Sequence, residues 1–295
     1  MQKKHAYLIM CHQDNNLLKK LIELIDDVRN DIFIHVDSKT KAFNFEKIRN
    51  FSKKSNLFFT SRVDVEWAMY SLVDAELILF KTAKNKGNYD YYHLISGADL
   101  PLKSQNFIHN FFDNLNEEAI HVFKEDTVKL ENVERYQTYY FFKKNLRTKY
   151  FIKYRMNKYL AKIQTLLRLK RNKNIDFKKG HNWVSVTDEF VDYLLSKKDW
   201  IESTYKNTFC PDESFIQTLA LNSHFKHRLI MDDQENSISE CLREIDWERG
   251  NPYIFRESDY DLLKKSKSIF ARKFDEKIDS KIINLIYNDL IVKDE

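Results

Sequence analysis

The stretch "HAYLIMCHQDNNLLKKLIELIDDVRNDIFIHVD" (residues 5–37) decides the fold class. It opens with an apolar run of strand length, "HAYLIMC", and closes with a second, "DIFIHVD". Between them "NNLLKKLIELIDDV" sets Leu17, Leu18, Leu21, Ile22 and Ile25 at helical spacing on one side. Such a strand–helix–strand unit implies parallel pairing through a right-handed crossover. Working outward, "NLFFTS" (56–61) reads as a third strand and "WAMYSLVDAELILFKTAK" (67–84) as a helix with an apolar face. "YDYYHLIS" (89–96) reads as a further buried strand. In open sheets of this kind ligands gather beyond the carboxyl ends of the strands. The polar residues at those ends are His12, Asp37 and the "SGAD" of Ser96, Gly97, Ala98 and Asp99. They predict a pocket of nucleotide size, although no Walker A or GxGxxG loop is present to hold phosphates.

Composition bounds the rest. A chain of 295 residues with 43% hydrophobic and 32% charged residues has room for one large α/β domain. With 4 Gly and 3 Pro there is little scope for flexible linkers. Cys11, Cys210 and Cys241 are an odd number without metal-ligand spacing, which points to a reducing compartment. The start, "MQKKHAYLIMCHQDNN", is too short in apolar residues for a signal peptide, and no later run reaches the length of a membrane span. A cytoplasmic protein is therefore expected.

Single residues remain ambiguous by themselves. In "TFCPDESFIQTL" (208–219), Asp212 and Glu213 follow a proline and precede an apolar helix, a pattern that capping alone explains. His12 reads as strand-end packing or as a ligand contact, and Asp37 as a turn residue or a ligand contact. His35 reads as a core side chain. "RKFD" (272–275) is either a solvated helix start or, after the apolar "SIFA" (268–271), a strand end that delivers Arg272 and Lys273 to a pocket.

Taken in order, seven segments resemble glycosyltransferase family 14, the core-2/I-branching enzymes and peptide xylosyltransferases. They are "HAYLIMCHQDN", "IFIHVDSKT", "VEWAMYSLVDAELILF", "YYHLISGADLPLKS", "GHNWVSVTDEFVDYLL", "CPDESFIQTL" and "IFARKFD". The resemblance runs from about residue 5 to about residue 280. It implies a GT-A-like single domain, α/β, with a mixed and mostly parallel central sheet flanked by helices. It also implies an inverting transfer from a nucleotide sugar to an acceptor hydroxyl. Carried over position by position, Glu213 falls on the general base and Lys273 on the basic residue that steadies the departing diphosphate. Arg272 is a neighbour able to share that task. A second upstream basic residue matches Arg249 or Arg256. His12, Asp37, Ser96, Gly97 and Asp99 fall near the nucleotide sugar. Arg135, Tyr136, Glu125, Trp183 and Asp212 fall on the acceptor side.

The chemistry is consistent with those roles. A single displacement needs a carboxylate to take the hydroxyl proton and positive charge where the diphosphate leaves. Fixed Lys and Arg can supply that charge, so no metal or other cofactor is expected. "DYD" (259–261) lacks a preceding apolar strand and has helical sequence after it. The expected donor is a UDP-sugar, with UDP-N-acetylglucosamine as first choice, and the expected acceptor is a glycan in surface polysaccharide or lipooligosaccharide synthesis. The animal members carry a membrane anchor and several disulfides, so a bacterial form at the cytosolic face is anticipated here.

From Lys143 to Asn174 the chain holds twelve Lys or Arg and no acidic residue, more than the whole formal net charge of +5. Ile152, Met156, Tyr159, Leu160, Ile163, Leu166 and Leu167 follow helical spacing. A basic amphipathic helix of this type suits an anionic membrane surface, and a merely solvated face or a mobile insertion over the acceptor site is the plain alternative. The expected organisation is a nucleotide-binding half (1–103), an acceptor half (104–280) that contains this insertion, and a carboxy-terminal helix or tail (281–295). Two other function classes stay open: a sugar- or nucleotide-binding module without catalysis, and a nucleic-acid-binding protein acting through the basic helix.

Overall fold

A computed structural model describes residues 4–115, 130–144, 146, 151–229 and 241–294. Strands β1 (His5–Cys11), β2 (Asn30–Val36), β3 (Asn56–Phe59) and β4 (Tyr91–Ser96) pair in parallel in the order β3-β2-β1-β4. Helices α1 (Asn16–Leu24), α2 (Phe45–Arg49) and α3 (Ser71–Lys86) provide the crossovers. β1, β2 and β4 are buried on both faces, which is why they read as unbroken apolar runs. Helix α1 begins where Asn15 caps it, its side-chain oxygen accepting from Leu18 N at 3.0 Å. It buries Leu17, Leu18, Leu21 and Ile22 against the sheet. Helix α3 starts at Ser71, not at Trp67, because residues 67–70 form a turn in which Ala68 takes a left-handed conformation.

The remaining elements complete the domain. Strand β5 (Leu100–Pro101) and helix α4 (Gln105–Asn114) follow β4, and helices α5 (Leu130–Gln137) and α6 (Ile152–Leu166) lead to strand β6 (Ser185–Thr187). β6 pairs antiparallel with β4 and makes the main sheet mixed. Helices α7 (Asp188–Ser196), α8 (Lys198–Tyr205) and α9 (Phe215–Leu221) pack beside it. Strand β7 (Arg243–Ile245), helix α10 (Tyr260–Lys265), strand β8 (Phe270–Arg272) and helix α11 (Ser280–Asp294) close the chain. β5, β8 and β7 form a second, three-stranded sheet. One core cluster joins α1, β1, β2, β8 and α11, so the carboxy-terminal helix buries Ile282, Ile283, Ile286 and Leu290 and is no loose tail. Residues on both sides of position 103 share each sheet.

Several buried polar pairs sit in the amino-terminal halves of the strands. Asn30 donates to Gln105 Oε1 (2.8 Å), which also accepts from Tyr7 OH (3.1 Å). Asn56 on β3 donates to Asp31 on β2 (2.9 Å), and His93 on β4 bonds Ser185 on β6 (2.8 Å). Arg243 is 2% exposed and ties β7 to the main sheet, donating to Val184 O (2.8 Å), Leu94 O (3.2 Å) and Ser185 Oγ (2.9 Å). Each bond there satisfies a group that would be costly to leave unpaired in the interior.

Candidate active site

The parallel order places a switch point between β1, whose chain continues outward to β2, and β4 on its other side. A cleft opens there, beyond the carboxyl ends, as the topology dictates. It consists of two cavities of about 200 Å³ and about 340 Å³ that share His12, Ser96 and Arg272 in their walls. His12 lies one residue past β1 and Asp37 one past β2, while Ser96 ends β4.

The "SGAD" loop is held from beneath. Asp99 is fully buried, accepting from Ser96 N (2.9 Å) and Ser96 Oγ (2.6 Å), with Arg272 Nη1 at 3.6 Å. Gly97 N donates to Met10 O (2.9 Å), and a Cβ at Gly97 would lie 2.9 Å from the Cys11 Cβ. Only glycine lets these two strand ends approach so closely. Asp99 therefore organises the wall of the cleft and lines neither cavity.

Strand β8 ends by delivering Arg272 to both cavities and Lys273 to the smaller one. The Arg272 guanidinium lies over the Trp183 ring at 4.2 Å, and its Nη1 is buried without a hydrogen-bond partner among the described residues. Burial lowers its pKa while Asp99 opposes the shift. A buried, under-satisfied guanidinium facing a cavity suits an anion with planar or bidentate oxygens.

The opposite wall carries the carboxylates. Cys210, in a left-handed conformation, turns the chain into a 3-10 turn over Pro211–Glu213. Cys210 N donates to Ala68 O (2.9 Å), which fixes that turn against the start of α3. Asp212 and Glu213 both line the larger cavity, across from His12, Asp37 and Arg272. Arg135, from α5, approaches Glu213 Oε2 to 3.3 Å. Asp212 is different: burial, with the Glu213 charge second, pushes its pKa up to about 7. Beneath it Glu76 is fully buried, accepts from Asn182 Nδ2 (3.1 Å), and is held well above the usual carboxyl range by burial and by Asp212. Two neighbouring carboxyls that burial holds against ionisation are the kind of perturbed pair that gathers at functional sites.

The structure thus brings His12, Asp37, Ser96, Gly97, Trp183, Asp212, Glu213, Arg272 and Lys273 to one cleft, with Arg135 bonded to its rim. Other assignments are corrected. Tyr136 is fully buried between Phe177 and Tyr205, so it is a core side chain, not an acceptor contact. Arg249 pairs with Asp246 and with Asp259 (2.7 Å), and Arg256 lies at the turn that Asp259 caps; neither lines the cleft. Asp259 is occupied by those contacts, which removes "DYD" from the site. Glu125 lies outside the described residues. Sequence reasoning missed His181, Asn182, Trp67 and Trp247, which also line the larger cavity. His35, expected in the core, is 1% exposed and accepts from Val63 N (3.1 Å), yet its ring also borders that cavity.

The fold is thus a mostly parallel α/β domain whose two-part cleft has carboxylates on one wall and the cations Arg272 and Lys273 on the other. The sequence profile of the Core-2/I-branching enzymes matches residues 5–264, and the chain belongs to that family. Its relatives include Xylosyltransferase sqv-6 of Caenorhabditis briggsae, 29% identical over 127 residues, covering 37% of this chain and 16% of that protein. A xylosyltransferase of Ciona intestinalis is 22% identical over 95% of this chain and 33% of its own length. The human beta-1,3-galactosyl-O-glycosyl-glycoprotein beta-1,6-N-acetylglucosaminyltransferase is 24% identical over 93% of this chain and 66% of its own. The chain therefore spans only part of the length of these relatives. Among solved structures, the apo form of mouse xyloside xylosyltransferase 1 aligns over 91% of this chain and 97% of its own, with a TM-score of 0.38 and 11% identity.

Proposed function

We propose that this chain is an inverting glycosyltransferase on the GT-A-like plan, moving a sugar from a UDP-sugar to a hydroxyl of a glycan acceptor. The observation that carries the reading is the Glu213 carboxylate facing Arg272 across one cleft at the carboxyl ends of β1, β2 and β4. In this reading the diphosphate lies in the smaller cavity against Arg272 and Lys273, and the sugar extends towards Glu213. An acceptor hydroxyl gives its proton to Glu213 as its oxygen bonds the anomeric carbon. The bond from that carbon to the diphosphate oxygen breaks on the other face, and its electron pair leaves with UDP. Arg272 and Lys273 are fixed where that charge develops, which supports a reaction without a metal. Arg135 steadies Glu213 and also lines a cavity of about 540 Å³ between α5 and α6, a suitable place for the rest of the acceptor.

N-acetylglucosamine is the first donor to try, followed by xylose, and the acceptor class proposed is a surface polysaccharide or lipooligosaccharide. UDP release is measured with a panel of UDP-sugars, with and without EDTA, for wild type and Glu213→Gln. Release that resists EDTA and drops about 10²- to 10⁴-fold in the variant supports the base and the metal-free mechanism. Loss with EDTA refutes the metal-free step. Failure of every UDP-sugar to bind would leave family membership without this activity.

A further inference from the structure

Helix α6 is turned inside out. Its buried residues are polar: Asn157 accepts from Phe141 N and Phe142 N (both 3.1 Å) and donates to Phe142 O (2.7 Å). Two turns later Gln164 accepts from Tyr139 N (2.9 Å) and donates to Tyr139 O (3.0 Å). These bonds fasten the helix to the backbone of residues 139–142. Tyr154, Leu160 and Ile163 are half-buried, but the most exposed apolar residues point the other way. Ile152 is 56% exposed, Met156 44%, Tyr159 66% and Leu166 82%, at spacings that share one face. Leu167 and Leu169 continue the patch beyond the helix end, and Phe151 begins it. Among the described residues, more than half of the exposed large hydrophobics fall between 139 and 169. A soluble helix normally shows the reverse arrangement.

The charge beside this patch identifies what covers it. Arg155, Lys158 and Lys162 are exposed along one flank of the stripe, and Arg168 follows its end. No acidic residue occurs from Lys143 to Asn174. We propose that α6 is a docking face for an anionic lipid surface, its apolar stripe entering the interface and its basic flank meeting the headgroups. An apolar stripe with a cationic border matches that occupant, since the two contributions act on the same surface. A second copy of this chain would set the basic flank against like charge. Lys158 and Lys162 also line the cavity between α5 and α6 proposed for the acceptor, so the two readings meet there, while the test below reads binding to vesicles and not the reaction.

The test is co-sedimentation of the full chain with vesicles of phosphatidylcholine, alone or with about a third phosphatidylglycerol. Wild type is compared with Tyr159→Glu/Leu166→Glu, and with Val28→Glu as a charge control on an exposed residue elsewhere. The expected result is binding to the anionic vesicles only, weakened about tenfold or more in the double variant and unchanged in the control. Protection of the 151–169 amides from hydrogen exchange on adding anionic vesicles to wild type gives a readout that needs no variant. Absence of vesicle binding, binding equal in the double variant, or unaltered exchange at 151–169 overturns the proposal. So does a dimer in sedimentation equilibrium that the double variant dissolves while neither vesicle binds.

Discussion

Replacing Asp212 by Asn removes a carboxyl whose protonated form the fold favours, and the consequence for stability has a definite sign. Its pKa is raised from 3.8 to about 7 because the group is buried, with Oδ1 shielded from solvent and unpaired among the described residues, beside Glu213. A carboxyl raised in the folded state contributes stability that is intact below its unfolded pKa and is lost as pH rises through its folded one. Between pH 5 and pH 7 the wild type gives up at most about 3 kcal/mol from this group, at about 1.4 kcal/mol per unit. Local relaxation and entry of water into the adjoining cleft reduce this to about 1–2 kcal/mol. An asparagine has no such dependence. Thermal unfolding of both proteins at pH 5 and pH 8 is expected to show the variant gaining about 2–6 °C relative to wild type at the higher pH. A difference in Tm that is the same at both pH values would refute the reasoning, and with it the picture of a buried Asp212 that resists ionisation.

Other outcomes follow from the same geometry. Gly97→Ala places a methyl group 2.9 Å from the Cys11 Cβ, so a loss of about 1–3 kcal/mol is expected in denaturant unfolding, together with weaker donor binding. Arg243→Met removes the donors to Leu94 O, Val184 O and Ser185 Oγ, of which the last two keep Leu94 N and His93 as partners, and should cost about 1–3 kcal/mol; a loss below about 1 kcal/mol would show that the sheets do not depend on this side chain. Arg272→Lys keeps the charge but loses the planar contact with Trp183, so kcat/KM for UDP release should fall about tenfold or more, whereas a purely electrostatic role predicts little change.

The parallel half of the fold was legible because hydrophobic runs and helical spacing report burial directly. β1 to β4, α1 and most of α3 stand where periodicity puts them. The short strands were not: β5, β6 and β7 have two or three residues each, too few for any period to emerge. Site residues divide the same way. His12, Asp37 and Ser96 are visible from the ends of readable strands. Glu213 was set apart from a helix cap only through the ordered resemblance, whereas the apolar lead of "SIFA" already offered a strand end that delivers Lys273 to a pocket. Tyr136 and Arg249 show where sequence position misleads, since a residue beside Arg135 on α5 points inward, and Arg249 finds nearer acids in Asp246 and Asp259. His181 and Trp247 reach the cleft through tertiary placement alone, and nothing local marks them.

The polar pairs at the closed end of the sheet have a further meaning. Strands apolar on both faces carry little hydrophobic preference for one alignment over its neighbour, because a slip by one residue buries much the same surface. Asp31 with Asn56, His93 with Ser185, and the Asn30–Gln105–Tyr7 group break that degeneracy, since each match is lost in any shifted alignment. They act as the notches of a key cut at one end. His12 and Asp37 lie outside these matched pairs, so their substitution can alter chemistry while the strands continue to find their partners.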